Sequence, residues 1–158
     1  MNHIEKAREL FLKGYNCAQA VFVAFSDVTG ISEEQAFLIS TSFGGGMGHT
    51  GEACGAATGM YMAVGAVLGY KDFTDADAKK QHYKLIADLS EQFKAEFSEI
   101  GCPELLAKLG KGEYEVPTDQ AYKNRPCLIF VEKAAELTEN LLKKRQQKWK
   151  LKVLKLIF

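Results

Sequence analysis

The sequence has few residues that interrupt helices and no closely spaced pair of cysteines. Only three of its 158 residues are proline, and no pair of alternating segments joined by a turn signal indicates a hairpin. Successive cysteines, four in all, are separated by 37, 48 and 25 positions. The missing C-x-x-C motif excludes thioredoxin-type chemistry by neighbouring cysteines and the usual zinc-finger spacing.

The chain also lacks a net charge, with 20 basic and 20 acidic residues, and it lacks an apolar leader. Residues 1–6 are polar and contain no apolar core of a signal peptide, so we expect a cytoplasmic protein. Thiols stay reduced in that compartment, where four cysteines are more often metal-binding or catalytic than a disulfide framework.

The neutral total hides an uneven distribution of charge. Residues 143–158 contain seven basic and no acidic residues, which leaves 13 basic against 20 acidic residues in residues 1–142. We therefore divide the chain into one helical domain, residues 1–142, and a basic amphipathic C-terminal extension, residues 143–158. The acidic domain argues against nucleic acid as a partner. The extension has the composition to contact an anionic membrane, but we favour packing of its apolar side chains onto the bundle or into a homodimer.

Apolar residues recur at helical spacing along most of the chain, so we expect an all-α fold, a compact bundle of about six helices. The first helix ends at Gly14, the second runs from Cys17 toward Val28, and the third begins with the capping box Ser32–Gln35. Its core residues are Phe37, Leu38 and Ile39.

Further along the chain, helices are predicted from about Ala53 to Leu68 and from about Asp75 to Glu99. The second of these has a core stripe consisting of Tyr83, Ile86, Leu89, Phe93 and Phe97. A short helix begins at Pro103, a polar loop covers residues 110–125, and a last long helix begins near Pro126.

Each cysteine lies at the predicted start of a different helix. Asn16 is a suitable N-cap before Cys17, a proline follows Cys102 and another precedes Cys127, and Cys54 opens an apolar run. Because a helix N-terminus favours negative charge, we expect these positions to lower the pKa of the four thiols.

Glycines surround the second cysteine. The loop before it, residues 43–51, formally contains G-x-G-x-x-G, but no second parallel strand follows, so a dinucleotide site is disfavoured. A tight connector or an anion-binding nest fits the loop better, and His49 within it could serve as a base, a ligand or a hydrogen-bond donor to sulfur. After Cys54, the helical Gly55 and Gly59 predict a close approach of a neighbouring helix, since each costs about 1 kcal/mol relative to alanine.

Four thiols that fold into one site allow two redox chemistries. Four cysteines can ligate an iron–sulfur cluster, or zinc, and two of them can cycle between dithiol and disulfide with a redox partner protein. We lean toward the cluster, because exchange between two sulfurs leaves the other two cysteines without a role. The alternative is a non-catalytic helical binding module, with structural zinc or with buried, inert cysteines.

The isolated Cys17, the motif Cys54-Gly55-Ala56-x-x-Gly59 and the single Cys102 and Cys127 resemble the C_GCAxxG_C_C family, a bacterial and archaeal group of redox-active proteins. The resemblance spans about residues 14–137 and leaves the basic extension outside. It implies that the four cysteines are the functional set, with Gly55 and Gly59 as the motif glycines. We count these two glycines and His49 as candidate cofactor-binding residues. It implies a redox role, in an oxidoreductase or an electron-transfer protein, but no defined substrate.

Overall fold

A computed structural model of the protein describes residues 2–110 and 126–157, with side chains as far as residue 152. It contains eight α-helices within these ranges, and they are α1 (His3–Leu12), α2 (Cys17–Ala24), α3 (Ser26–Thr29), α4 (Glu33–Ser40), α5 (Gly55–Leu68), α6 (Ala76–Phe97), α7 (Cys102–Gly110) and α8 (Leu128–Ile157). A 3-10 turn at Thr41–Phe43 and a kinked turn at Gly44–Met47 connect α4 to the loop before α5. No strand occurs in the described ranges, so the predicted all-α class is confirmed.

The expected number of about six helices is too low. The predicted second helix divides at Phe25, whose backbone angles (φ −98°, ψ 14°) leave the helical region and separate α2 from α3. Gly30, with φ 72°, then ends α3 in the left-handed conformation.

Helix α2 is the centre of the bundle. Every residue from Ala18 to Ala24 is buried, because α1, α4, α5 and α8 all pack around it. Its start is fixed by the predicted cap: the Asn16 side chain accepts from the Gln19 N–H (2.9 Å), and the Gln19 side chain accepts from the Asn16 N–H (3.0 Å). The first cysteine therefore lies at a well-defined helix start beside the core.

The predicted core of α4 is wrong. Phe37, Leu38 and Ile39 are exposed, whereas Ala36 and Ser40 are buried. Three consecutive residues cannot face one neighbour, since each is turned by about 100° from the last. The helix buries its small side chains, which lets α4 approach α2 closely.

The predicted stripe of α6 is mostly confirmed. Leu89, Phe93 and Phe97 are buried, and the Phe97 ring lies 4.8 Å from that of Phe130 in α8. Tyr83, expected in the same stripe, is 58% exposed. The first turns of α6 therefore extend beyond the core.

Helix α8 continues without a break past the bundle. Leu142 is the last buried residue among those whose side chains the structure describes, and every residue from Lys143 to Lys152 is exposed. Our expectation that the extension packs onto the bundle is therefore wrong for its described part, in which Trp149 is 67% exposed. Packing into a homodimer, the other half of that expectation, stays a prediction. The predicted polar loop, apart from Gly110 at the end of α7, lies outside the described residues. Within the described ranges, no helix has the length and apolar character needed to cross a membrane.

Candidate functional site

The four cysteines occupy the N-termini of four different helices, as predicted. Cys17 is the first residue of α2 and Cys102 the first residue of α7. Cys54 is the N-cap of α5, and Cys127 precedes α8, with its carbonyl accepting from the Phe130 N–H (3.1 Å). The site is thus built from segments that span most of the described chain.

A short backbone bridge holds two of these helix starts together. Ala53 and Gly101 form an isolated antiparallel bridge. On either side of it the Cys54 N–H donates to the Ile100 carbonyl (2.8 Å), and the Cys102 N–H donates to the Glu52 carbonyl (2.9 Å). The two cysteines are therefore positioned by their own backbone hydrogen bonds.

Close packing of α2 on α5 brings in the first cysteine. A β-carbon at Gly59 would lie 2.7 Å from the Ala18 carbonyl oxygen, and one at Gly55 would lie 3.1 Å from the Cys17 β-carbon. The predicted close approach is confirmed: these glycines let the start of α2 lie directly against the start of α5. Their bare faces are covered by α2, and a role in cofactor binding stays a prediction.

The thiols of Cys17 and Cys127 are in hydrogen-bond contact. This contact raises the pKa of Cys17 well above its usual value, and burial raises it further. The charges of Cys127, Cys54 and Cys102 act in the same direction. All four sulfurs therefore lie close enough for their ionisations to affect one another.

The expected lowering of the thiol pKa is wrong for three of the cysteines, Cys17, Cys54 and Cys102, whose pKa values are all raised. Burial raises the pKa of Cys54 to about 12, although the backbone N–H groups of Ala57 and Ala56 act to lower it. Burial also raises the pKa of Cys102, with the charges of Cys127 and Glu104 adding to the effect. The helix N-terminus contributes as predicted at Cys54, but desolvation is larger.

The glycine-rich loop covers one side of the site. Gly46 has φ 73°, and a β-carbon there would lie 2.7 Å from the Cys102 β-carbon. His49 is exposed, and its ring covers Gly45, where a β-carbon would lie 2.6 Å from the ring. No contact with a sulfur is described for His49, and its proposed chemical role stays a prediction. Because a helix, α4, precedes the loop, the strand that a dinucleotide fingerprint needs is missing from residues 33–40.

Two contributors to the site were missed from the sequence. Asn16 also donates from its side-chain amide to the Thr41 carbonyl (3.1 Å), which ties the start of α2 to the 3-10 turn that precedes the glycine loop. Glu104 lies in the first turn of α7, and its charge acts on Cys102. An acidic residue two positions after a helix-starting cysteine was the available signal for Glu104; the second role of Asn16 depends on tertiary contacts.

One pair of thiols, Cys17 and Cys127, is in hydrogen-bond contact in this structure. All four cysteines are free thiols. Within the described residues, no three histidine, cysteine, aspartate or glutamate side chains are placed to hold a metal ion. Oxidation of the two thiols in contact, Cys17 and Cys127, would form a disulfide.

Comparison with protein families shows to which family the chain belongs. Residues 15–141 match the family described as "Putative redox-active protein (C_GCAxxG_C_C)". This range contains the four cysteines and both motif glycines, and it ends just before the basic extension. No curated protein and no solved structure matches the chain.

Proposed function

Because the chain belongs to the C_GCAxxG_C_C family, we propose that it is a redox protein whose four cysteines act as one site. The observation that carries the proposal is the contact between the Cys17 and Cys127 thiols. The charges of Cys54 and Cys102 also raise the pKa of Cys17, so all four side chains are close together. Unrelated core cysteines would have no reason to meet at four helix starts.

The geometry best supports dithiol/disulfide exchange between Cys17 and Cys127 with a disulfide-containing partner protein. One thiol of the pair loses its proton and attacks a sulfur of the partner disulfide, which forms a mixed disulfide and releases one partner thiolate. The second thiol, deprotonated in turn, attacks the mixed disulfide, closes the Cys17–Cys127 bond and releases the other thiolate. Two electrons pass to the partner, whose two thiolates take up the two protons.

The raised pKa of Cys17 limits the rate of this exchange near neutral pH, because only the thiolate attacks. Cys54 is a poor attacking group for the same reason: it is 4% exposed and its pKa is about 12. Its place beside the pair suits a supporting role, in which it shapes the environment of the two reacting sulfurs.

An iron–sulfur centre, favoured from the sequence, is the second candidate. The donor set fits, since four cysteine sulfurs are the ligands of such clusters, and the surrounding helix N-termini would offset the negative charge of four thiolates. When bound, a cluster would supply one-electron transfer. The contact between the Cys17 and Cys127 thiols supports exchange more directly, because no three cysteines in the described ranges are placed to ligate a metal ion, whether iron or zinc, without moving.

One set of protein preparations separates the two chemistries. The wild type and the four single Cys→Ser variants are purified anaerobically, reconstituted with iron and sulfide, and analysed for both. Separate samples are oxidised with a disulfide reagent and mapped by mass spectrometry. Exchange predicts little bound iron, a Cys17–Cys127 disulfide in the wild type, and its loss in Cys17→Ser and Cys127→Ser only.

The cluster predicts stoichiometric iron and acid-labile sulfide, with a similar loss in each of the four variants. The Cys54→Ser and Cys102→Ser variants are the matched controls, since they remove a sulfur from the site without touching the pair. A protein that forms neither a disulfide among these residues nor an iron-containing centre would contradict the redox proposal.

A further inference from the structure

Two adjoining cavities lie where α8 leaves the bundle. The larger has a volume of about 540 Å³ and the smaller about 250 Å³, and both are lined by Leu68 and Arg145. Leu68 is the last residue of α5, so the cavities occupy the corner between the end of that helix and the exposed part of α8. The larger volume lies in the range of about 300–1,000 Å³ that is common for small-molecule sites.

The corner carries unbalanced positive charge. Four cations line the larger cavity, and they are Arg145, Lys148, Lys150 and Lys152. No carboxylate belongs to the described lining of either cavity, and none of the four cations forms an ion pair within the part of the chain that the structure describes. Cations on a concave surface without a counter-charge attract an anion.

Apolar and aromatic side chains lie beside these cations. Leu68 and the 67%-exposed Trp149 line the larger cavity. In the smaller one the rings of Tyr70 and His82 are 6.1 Å apart, and the Nδ1 atom of His82 is buried without a hydrogen-bond partner. This side of the corner suits the flat or apolar part of a small molecule.

We propose that this corner binds a soluble organic anion that has an aromatic or apolar body and a carboxylate, sulfonate or phosphate group. The anionic group is held by Arg145 and the neighbouring lysines, and the body packs against Trp149 and Leu68. The volume of the larger cavity, about 540 Å³, suits a small molecule, and a bilayer surface is the alternative occupant that the vesicle experiment below tests.

The site is separate from the cysteines. Cys54 lies at the start of α5 and Leu68 at its end, and 14 helical residues at 1.5 Å each place them about 20 Å apart. A ligand in the corner therefore does not meet the sulfurs directly. The proposal is independent of the redox function, and Cys→Ser variants are expected to bind the ligand as the wild type does.

The only tryptophan of the chain, Trp149, makes binding directly measurable. The probe is 1-anilinonaphthalene-8-sulfonate, titrated into the full-length protein with excitation of the tryptophan. We expect saturable energy transfer from Trp149 to the dye, weakened by salt. A double change of Arg145→Gln and Lys148→Gln should weaken binding by about tenfold, since each exposed ion pair contributes at most about fivefold.

Lys84→Gln, on the surface of α6 and outside the lining of both cavities, is the control variant and should bind within about twofold of the wild type. Cooperative thermal unfolding of every variant separates a lost site from a lost fold. Equal dye binding by the double variant, or no saturable binding by the wild type, would overturn the proposal. Anionic phosphatidylglycerol vesicles form a second arm: binding to vesicles without binding of the soluble dye would also overturn it and identify a membrane-binding surface.

Discussion

Cys54 shows how the environment of a single residue decides its chemistry. A helix N-terminus stabilises a nearby negative charge by about 0.3–1 kcal/mol, which is less than one pKa unit. Full burial can shift a pKa by about 3–5 units in the opposite direction. Cys54 is subject to both effects, and its pKa of about 12 shows that burial is the larger.

This pKa predicts the pH dependence of Cys54 alkylation. In the folded, reduced protein the rate with iodoacetamide should rise about tenfold per pH unit from pH 7 to 10, because the thiolate fraction keeps increasing below a pKa of about 12. Quantitative mass spectrometry of the Cys54 peptide gives the rate. The urea-unfolded protein is the control, in which the rate should level off near the ordinary pKa of about 8.5. A plateau near that pH in the folded protein would contradict the burial argument.

Residue-level features that depend on local chemistry were predictable from the sequence. The caps at Asn16 and Ser32 need only a side chain and the backbone a few residues ahead, and both are present. The raised thiol pKa values depend on what the rest of the chain packs over each sulfur. That packing depends on tertiary structure, so the argument from helix starts alone predicted the wrong direction of the pKa shift.

At the scale of elements, the contact between α2 and α5 sets the position of the first two cysteines. The two helices approach so closely at Gly59 that a β-carbon would lie 2.7 Å from the Ala18 carbonyl oxygen. A β-carbon at Gly65, on the same helix, would meet no atom within 4 Å. A comparison of Gly59 with Gly65 therefore separates the effect of close packing from the cost in stability of a glycine within a helix.

Alanine at these two positions should change stability in opposite directions. Gly59→Ala should lower the free energy of unfolding by roughly 1–3 kcal/mol, since overpacking outweighs the gain in helix propensity. Gly65→Ala is the matched control and should raise it by up to about 1 kcal/mol. Urea unfolding followed by circular dichroism measures both changes. Stabilisation by Gly59→Ala would show that α2 and α5 do not need this close contact.

Periodicity predicted elements well where one face of a helix is buried and poorly elsewhere. The α6 stripe from Leu89 to Phe97 repeats every four residues and is buried as expected. In α4 the three large apolar residues are consecutive, so the pattern does not select a face, and the buried residues are small. The division between α2 and α3 at Phe25 has no proline or glycine to mark it.

At the scale of the whole molecule, the sequence placed the four cysteines at helix starts but did not predict which of them are in contact. Helix starts can be found one at a time from local signals. Which sulfurs meet depends on the Ala53–Gly101 bridge and on the packing of α8, and both join segments that are far apart in the chain. For the same reason the pairing of Cys17 with Cys127 was not predictable.

Cys17 and Cys127 are in contact although they are 110 positions apart in the sequence, so a disulfide between them would close a loop of about 110 residues. A crosslink of that span removes conformational freedom mainly from the unfolded chain, by an amount equivalent to roughly 4–5 kcal/mol in the chain-entropy treatment. The oxidised protein should therefore melt at a temperature roughly 10 °C or more above that of the reduced one. Scanning calorimetry of the two forms tests this, and Cys127→Ser, which cannot form the bond, should melt at one temperature under both conditions. An unchanged melting temperature on forming the bond would contradict the entropic stabilisation.

A disulfide that stabilises the native state is in turn stabilised by folding, because the two effects are linked. Reduction of the Cys17–Cys127 bond is therefore less favourable in the folded protein than in the unfolded chain.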